Sequence, residues 1–356
     1  MSGALNPDIR GADEVVVPDE YKSLCGWADL GNEVMVLAKE QKALEQLQES
    51  LPERFATQEP VAIQPGMIDK WEEFQQSKGR FPGSMDLSLL DEFVHGQPLL
   101  FKPQLIGSCV VSNTLRPWAA RLMYQVVLLG QPMEYLGRNE FGPENYLPFG
   151  PMSYGLARKR ANMRGSDGLY CGPMTESLMK DGVLQCNTPK LIEFMKNKGF
   201  SSPQDWPEPQ GRDGMRLYRD FGNWKHIDQF RQYLDYPLLE SPRVTSADQL
   251  WDLALAGKPA FVCSMEAIHK VGEHSDGFAI HARNPRSRWA HNMSFQGVFV
   301  ASDGERFFRE SNESWGPSHI YNRHFDEVAA SFRNGRLTVQ ALGQIEGPAA
   351  TIPQMA

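Results

Sequence analysis

The sequence predicts an α+β fold in which helices form one half of the molecule and antiparallel strands form the other. Helix-like apolar periodicity fills much of the chain up to residue 256, and period-two strands follow it. Two of these strands, residues 291–300 and 305–311, are joined by Ser302-Asp303-Gly304, a sequence typical of a hairpin turn. Because helices come first and antiparallel strands later, we expect an interface between two halves.

The first 95 residues are predicted to form an N-terminal arm. One amphipathic helix is expected at residues 32–50 and a shorter amphipathic piece at residues 67–76, with proline-containing loops around them. Such an arm packs on another surface. It either covers its own domain as an inhibitory pro-segment or docks on another subunit of a larger assembly, and the sequence leaves both alternatives open.

Residues 96–330 are predicted to form the main domain, which begins with helices. Residues 110–130 are apolar enough for a buried helix, and Pro117 within them predicts a kink or a break, because proline removes a backbone donor and clashes one turn back. Further helices are expected at residues 153–163 and 174–180.

The strand-rich part of the main domain is introduced by one more helix. Ser246 and Gln249 form a capping box at its start, and a short strand at residues 260–264 follows its end. Residues 331–356 are polar and rich in small side chains, so they are predicted to form a C-terminal tail.

Composition excludes some classes of partner. The chain of 356 residues has a formal net charge of -8, which argues against a general binder of nucleic acid or of anionic membranes, because phosphate binding is driven mainly by Lys and Arg. We expect no signal peptide and no membrane span, and hence a place in the cytoplasm or within a virus particle. One basic run is interpreted as the solvated face of a helix: Arg158, Lys159, Arg160 and Arg164.

The cysteines are few, odd in number and widely spaced, which favours reduced thiols over a disulfide framework. The sequence contains no Cys-x-x-Cys or His-x-x-x-His pair of the kind that binds zinc, so neither a metal nor another cofactor is expected. The five cysteines are Cys25, Cys109, Cys171, Cys186 and Cys263.

Cys109 is the candidate nucleophile. A Gly-Ser pair precedes it and a helix-length apolar run follows, which would place the thiol at a helix N-terminus. There the helix dipole and the unpaired N–H groups favour a thiolate. Gln104, just upstream, is a candidate donor to an oxyanion, together with backbone N–H groups at the same helix end.

A nucleophilic thiol needs a base, and His291 is the preferred candidate among eight histidines because it opens a strand. About twenty residues later comes the segment Ser-Asn-Glu-Ser-Trp-Gly. There either Asn312 or Glu313 would orient the imidazole, and Trp315 would shield that hydrogen bond from water.

The order of these motifs resembles that of the papain-like cysteine peptidases, including their bacterial and phage-type members. The motifs are Gln-x-x-x-x-Cys on a helix, Ala-His at a strand start, and Asn-x-Ser-Trp-Gly after a hairpin. A glycine turn at residues 165–168 stands between two helices, as in that family. The resemblance covers residues 98–325 and implies a helical left half, a β-barrel-like right half and a cleft between them.

Catalytic roles follow from the resemblance, position by position. Cys109 matches the nucleophile and His291 the general base, whereas Gln104 matches the oxyanion donor and Asn312 the residue that orients the base. The implied activity is that of a thiol hydrolase that cleaves peptide bonds in peptide or protein substrates.

The resemblance also implies a substrate cleft. Gly168 would lie in the wall that pairs with a substrate backbone, and Trp315 would cover the base. Two alternatives to a peptidase remain open from the sequence. One is a papain-fold structural component of a large assembly such as a virus particle, and the other is transglutaminase-like or amidase chemistry with the same residues.

Overall fold

The fold is described from a computed structural model, for residues 67–95, 104, 106–131, 146–165, 167–200, 206–286, 291–312 and 319–347. The first helices are α1 (Met67–Ser77), α2 (Leu90–His95), α3 (Cys109–Val127), α4 (Gly150–Arg160) and α5 (Cys171–Lys180). The later helices are α6 (Pro189–Asn197), α7 (Gly211–Gly222), α8 (Ile227–Phe230), α9 (Ala247–Leu255) and α10 (Phe325–Arg333).

Nine strands belong to one sheet. They are β1 (Phe81–Asp86), β2 (Arg243–Val244), β3 (Ala260–Ser264), β4 (Ile268–Glu273), β5 (Ala279–Arg283), β6 (His291–Val300), β7 (Arg306–Ser311), β8 (Ile320–His324) and β9 (Leu337–Ala341). Their order is β2-β9-β3-β6-β7-β8-β5-β4, with β1 added along β6. All neighbours are antiparallel except β5 and β8. A helical half and a largely antiparallel sheet confirm the predicted α+β class.

Helix α3 is the central element of the helical half. Of its 19 residues only Arg116 is not buried, so the helix is surrounded by protein on every side. It packs against β6 and β3 of the sheet and against α4 and α5. Of the predicted kink or break at Pro117, the break is wrong, because the helix runs continuously through that residue, and the kink stays a prediction. Pro117 is itself buried, and this packing holds the turn whose hydrogen bond is missing.

The described part of the N-terminal arm packs on the sheet. The predicted amphipathic helix at residues 67–76 is present as α1, and its Trp71 lies in the main core. Strand β1 pairs with β6, where Asp86 faces Gly297. A Cβ at Gly297 would lie 2.4 Å from the Met85 oxygen, so this close approach requires glycine.

The helix predicted at residues 32–50 lies outside the described residues, and the division between arm and domain at residue 95 stays a prediction.

Residues 331–347 do not form the predicted tail. Strand β9 is fully buried and pairs with both β2 and β3. Beyond it, the Ile345 N–H donates to Gln125 Oε1 on α3 at 2.8 Å, so this segment joins the sheet to the central helix. Small residues such as Ala341 allow the close packing there. Residues 348–356 lie outside the described part of the chain.

Several local predictions hold. The strand at residues 260–264 and the hairpin of β6 and β7 are present, although β7 begins at Arg306. At α9, Ser246 Oγ accepts from the Gln249 N–H at 3.1 Å, as expected for a capping box. Gln249 Oε1 accepts from the Thr245 N–H at 2.8 Å, one residue before the expected partner.

None of the helices in the described ranges has the length and apolar character needed to cross a bilayer.

Candidate active site

Cys109 is the first residue of α3, as predicted, and Ser108 precedes it as the N-cap. Its side chain is buried and takes no part in a disulfide. The positive end of the helix dipole lies at this residue.

His291 and Asn312 are joined by a buried hydrogen bond. Nε2 of His291 lies 2.8 Å from Oδ1 of Asn312, and both side chains are at most 1% exposed. His291 is the first residue of β6, and Asn312 directly follows β7, so the hairpin brings them together. An amide oxygen only accepts, so the bond requires the imidazole proton on Nε2 and leaves Nδ1 as the basic nitrogen.

Of the two alternatives for the orienting residue, Asn312 therefore makes the observed bond. Glu313 and Trp315 lie outside the described residues.

Asn113 connects the two halves of the candidate site. Its Nδ2 atom donates to the Cys109 carbonyl oxygen at 3.0 Å and to the Asn292 carbonyl oxygen at 2.7 Å. Since one nitrogen contacts both oxygens, the backbones of Cys109 and Asn292 approach within about 6 Å, twice a normal hydrogen-bond length. Asn292 directly follows His291. The first turn of α3 is thus held against the start of β6, where the base lies.

Gln104 is buried without a partner. It is 3% exposed, and neither its Nε2 nor its Oε1 atom has a hydrogen-bond partner among the described residues. An unpaired buried amide costs about 1–3 kcal/mol, so such groups in folded proteins are expected to have a use. A donor held in this way is suited to an oxyanion that forms only during a reaction.

The backbone of Gly168 is held by two side chains of α4. Its N–H donates to Tyr154 Oη at 3.2 Å, and its oxygen accepts from Arg158 Nη1 at 2.6 Å. The φ angle of +104° at Gly168 lies in the region that favours glycine. Both polar backbone groups thus point into the protein, whereas the expected role in pairing with a substrate backbone stays a prediction.

This contact corrects the interpretation of the basic run. Arg158 is 1% exposed rather than solvated, because the inward side of α4 carries it towards Gly168. Arg160 forms ion pairs with Asp181 and Glu176, at 2.6 and 3.1 Å. Arg164 lies over the ring of Trp224. Two members of the run remain at the surface: Arg164 is exposed, and Lys159 is partly exposed, with its Nζ atom 3.5 Å from Asp228 Oδ1.

A disulfide joins Cys171 to Cys263, which corrects the expectation that all the cysteines are reduced. Cys171 begins α5 and Cys263 lies on β3, so the bond links the helical half to the sheet. Asn292 pairs with Cys263 across β3 and β6, and its Nδ2 atom lies 3.3 Å from the Cys171 sulfur. The disulfide therefore lies next to the residue that follows His291.

Several residues of this region were not predicted from the sequence. Asn113 carries a weak signal, since an amide in an apolar helix one turn after a candidate nucleophile has to find a partner. Asn292, Tyr154 and Arg158 have no comparable signal, because their contacts depend on segments distant in the chain.

One group of potential metal ligands exists among the described residues, and it includes none of the candidate catalytic residues. His274, Asp303 and Glu305 have ligand atoms within 4.8 Å of one another. His274 Nδ1 accepts from the Asp276 N–H, so the ring proton is on Nε2, which faces Asp303 Oδ2 at 3.1 Å. A proton on that nitrogen competes with a metal, and the cluster is better described as a polar contact between two hairpins.

Comparisons with known proteins give distant matches to solved structures. None of the known protein family models matches the sequence, and no curated protein sequence matches it. The chain is similar to xylellain, a cysteine protease from Xylella fastidiosa, with 16% identity over 74% of this chain and 87% of that chain and a TM-score of 0.42.

Two further solved structures are similar. Procathepsin B S9 from Trypanosoma congolense has 13% identity, with 86% of this chain and 88% of that chain covered and a TM-score of 0.41. A digestive procathepsin L 3 from the larval midgut of Tenebrio molitor has 12% identity, with 89% of this chain and 94% of that chain covered and a TM-score of 0.39.

Proposed function

We propose that this chain is a papain-like thiol hydrolase that cleaves peptide bonds. The observation that carries the proposal is the buried hydrogen bond between His291 and Asn312, next to the helix N-terminus that bears Cys109. With the Asn312 oxygen towards the ring, the imidazole carries its proton on Nε2, so that Nδ1 can take the proton of a thiol. Asn113 supports it by holding the two backbones together.

The reaction would proceed in two steps. The Cys109 sulfur bonds to the substrate carbonyl carbon, the C–N bond breaks, and His291 passes the thiol proton to the leaving amine. Water then attacks the resulting thioester, His291 takes one of its protons, and the acid leaves as the thiol is restored. During both steps the oxyanion would accept hydrogen bonds from Gln104 Nε2 and from the first-turn backbone of α3.

Peptides are the proposed substrates because the site supplies a nucleophile, a base and an oxyanion donor, the groups that acyl transfer needs. The wall around Gly168 would border the bound chain on the helical side. The alternative of an assembly component depends on residues 1–66, which lie outside the described residues. In the described part of the arm, β1 pairs with residues 297–300 of β6 in the same chain.

The proposal is tested with the full chain and a mixture of peptides of varied sequence, in which new amino termini are identified by mass spectrometry. We expect wild type to create new termini and Cys109→Ala to create none. Cys186→Ala is the matched control, because Cys186 is a second buried cysteine outside disulfides, in a different apolar cluster. Cleavage by Cys109→Ala, or none by wild type, would contradict the proposal.

A further inference from the structure

Three buried polar atoms, one of them on Asn312 itself, have no hydrogen-bond partner within the described part of the chain. They are Asn312 Nδ2, Tyr321 Oη and Glu310 Oε1. All three side chains are at most 2% exposed. Buried polar groups in folded proteins are almost always paired, so three such atoms at neighbouring strand positions are candidates to pair with one another.

Strand geometry places the three side chains together. Glu310 and Asn312 are two residues apart, at the end of β7, so extended backbone puts them on the same face. Tyr321 on β8 is the direct cross-strand partner of Glu310. The pairing continues with the Asn312 N–H, which donates to the His319 oxygen at 2.9 Å.

The ionisation of Tyr321 indicates how the groups face each other. Burial raises the pKa of the Tyr321 hydroxyl, the charge of Glu310 raises it further, and the Asn312 amide lowers it. Lowering is the effect of an N–H that points at a phenolic oxygen, and raising is the effect of a nearby carboxylate. These directions agree with the strand positions, in which Tyr321 lies opposite Glu310 and beside Asn312: the amide nitrogen would face the hydroxyl oxygen, and Glu310 would be available for the hydroxyl proton.

Glu310 is itself fixed. Its Oε2 atom accepts from Arg323 Nη1 at 2.8 Å, and Arg323 also pairs with Glu266 and Glu327. The other oxygen, Oε1, is the one left without a partner. Burial raises the pKa of Glu310 to about 7, so at the pH of 8 used below it is mainly a carboxylate. A carboxylate accepts hydrogen bonds only, so it selects the direction of a neighbouring hydroxyl.

This direction matters because an asparagine amide has two ends of nearly the same shape. With Oδ1 towards His291 the amide accepts the Nε2 proton, whereas a flipped amide would offer a donor and favour the other tautomer. The His291 bond alone does not decide between the two arrangements, since each can pair with one tautomer.

We propose that Glu310 and Tyr321 act as positioning residues that lock the orientation of the Asn312 amide, and through it the tautomer of His291. Tyr321 donates its proton to Glu310 and therefore accepts from Asn312 Nδ2. Oδ1 is then directed at His291, with the ring proton on Nε2. The value of this lock for catalysis rests on the proposed function, but the lock itself is a property of the folded chain.

The test measures the tautomer directly. Histidine is labelled with ¹⁵N in the full chain carrying Cys109→Ala, which removes the thiol as a partner of the imidazole, and spectra are recorded at pH 8. The His291 signals are assigned by their loss in His291→Gln. We expect the Nε2–H form in this background. Tyr321→Phe should raise the Nδ1–H fraction about fivefold, as expected for the loss of one neutral hydrogen bond.

Two controls separate positioning from a general structural effect. Tyr218→Phe removes another buried hydroxyl without a partner among the described residues, in the helical half, and should leave the tautomer unchanged. Asn312→Asp replaces the amide by a group with two accepting oxygens, so adding Tyr321→Phe to it should have no effect. An unchanged tautomer in Tyr321→Phe, or the same change in both Asn312 backgrounds, would overturn the proposal.

This readout needs no hydrolysis. A chain that holds His291 in the Nε2–H form but cleaves no peptide would retain the lock and contradict the proposed function. A chain that cleaves peptides but whose His291 tautomer does not respond to Tyr321→Phe would support the proposed function and contradict the lock.

Discussion

Removing the disulfide between Cys171 and Cys263 should destabilise the fold strongly. The two cysteines are 92 residues apart, and the bond links α5 to β3. In the chain-entropy description, closing a loop of that length in the unfolded state stabilises the native state by about 4.6 kcal/mol. The double variant Cys171→Ala, Cys263→Ala is therefore expected to lose about 4 kcal/mol or more of its free energy of unfolding.

The assay is urea unfolding followed by tryptophan fluorescence, with and without a reducing agent. Wild type should shift to a lower midpoint when reduced, whereas the double variant should not respond. Cys186→Ala, which removes a cysteine outside the disulfide, should respond as wild type does. Labelling of the unfolded, unreduced chain should modify Cys109 and Cys186 but neither Cys171 nor Cys263. Labelling at those two positions, or a midpoint that reduction leaves unchanged, would refute the reasoning.

Three other outcomes are expected. Arg158→Met should lower the free energy of unfolding by about 2–3 kcal/mol, because the buried charge-assisted hydrogen bond to the Gly168 carbonyl oxygen is lost. It should also raise KM more than it lowers kcat. An unchanged unfolding midpoint would contradict this prediction. Burial raises the pKa of Glu310 to about 7, so its contribution to stability is complete near pH 4.5 and is lost as the pH rises through 7. Relative to Glu310→Gln, wild type should therefore lose up to about 3 kcal/mol between pH 5 and pH 8, measured by urea unfolding, and no relative change would count against this environment. Asn312→Ala should lower kcat less than His291→Ala, because an orienting group contributes less than the base, and the reverse order would mean that the catalytic roles are misplaced.

Local patterns predicted the elements that carry the candidate site. Alternation in residues 291–300 and the hairpin turn after it place His291 and Asn312 on neighbouring strands, and the side-chain bond follows from that register. The Gly-Ser pair before Cys109 likewise marks the start of α3. These features depend on a few adjacent residues, so periodicity and capping rules suffice for them.

Features that depend on distant partners were missed. The sequence of β9 resembles a polar tail, because its pairing partner β3 lies more than 70 residues earlier in the chain. Arg158 belongs to a basic run and is buried only because Gly168 and Gly222 turn their carbonyl oxygens towards it. The pairing of Cys171 with Cys263 likewise arises where the two halves meet. Tertiary packing decides each of these, and single-sequence patterns do not record it.

The most direct test of the proposed site is the rate at which iodoacetamide alkylates Cys109 as a function of pH, with the modified residue assigned by mass spectrometry. Cys186 provides an internal reference, because burial raises the pKa of its thiol well above the usual value. A thiolate paired with His291 predicts rapid labelling of Cys109 well below pH 7, lost in His291→Ala. Labelling that rises only near the free-thiol pKa of about 8.5, with or without His291, would contradict the assignment of Cys109 as an activated nucleophile.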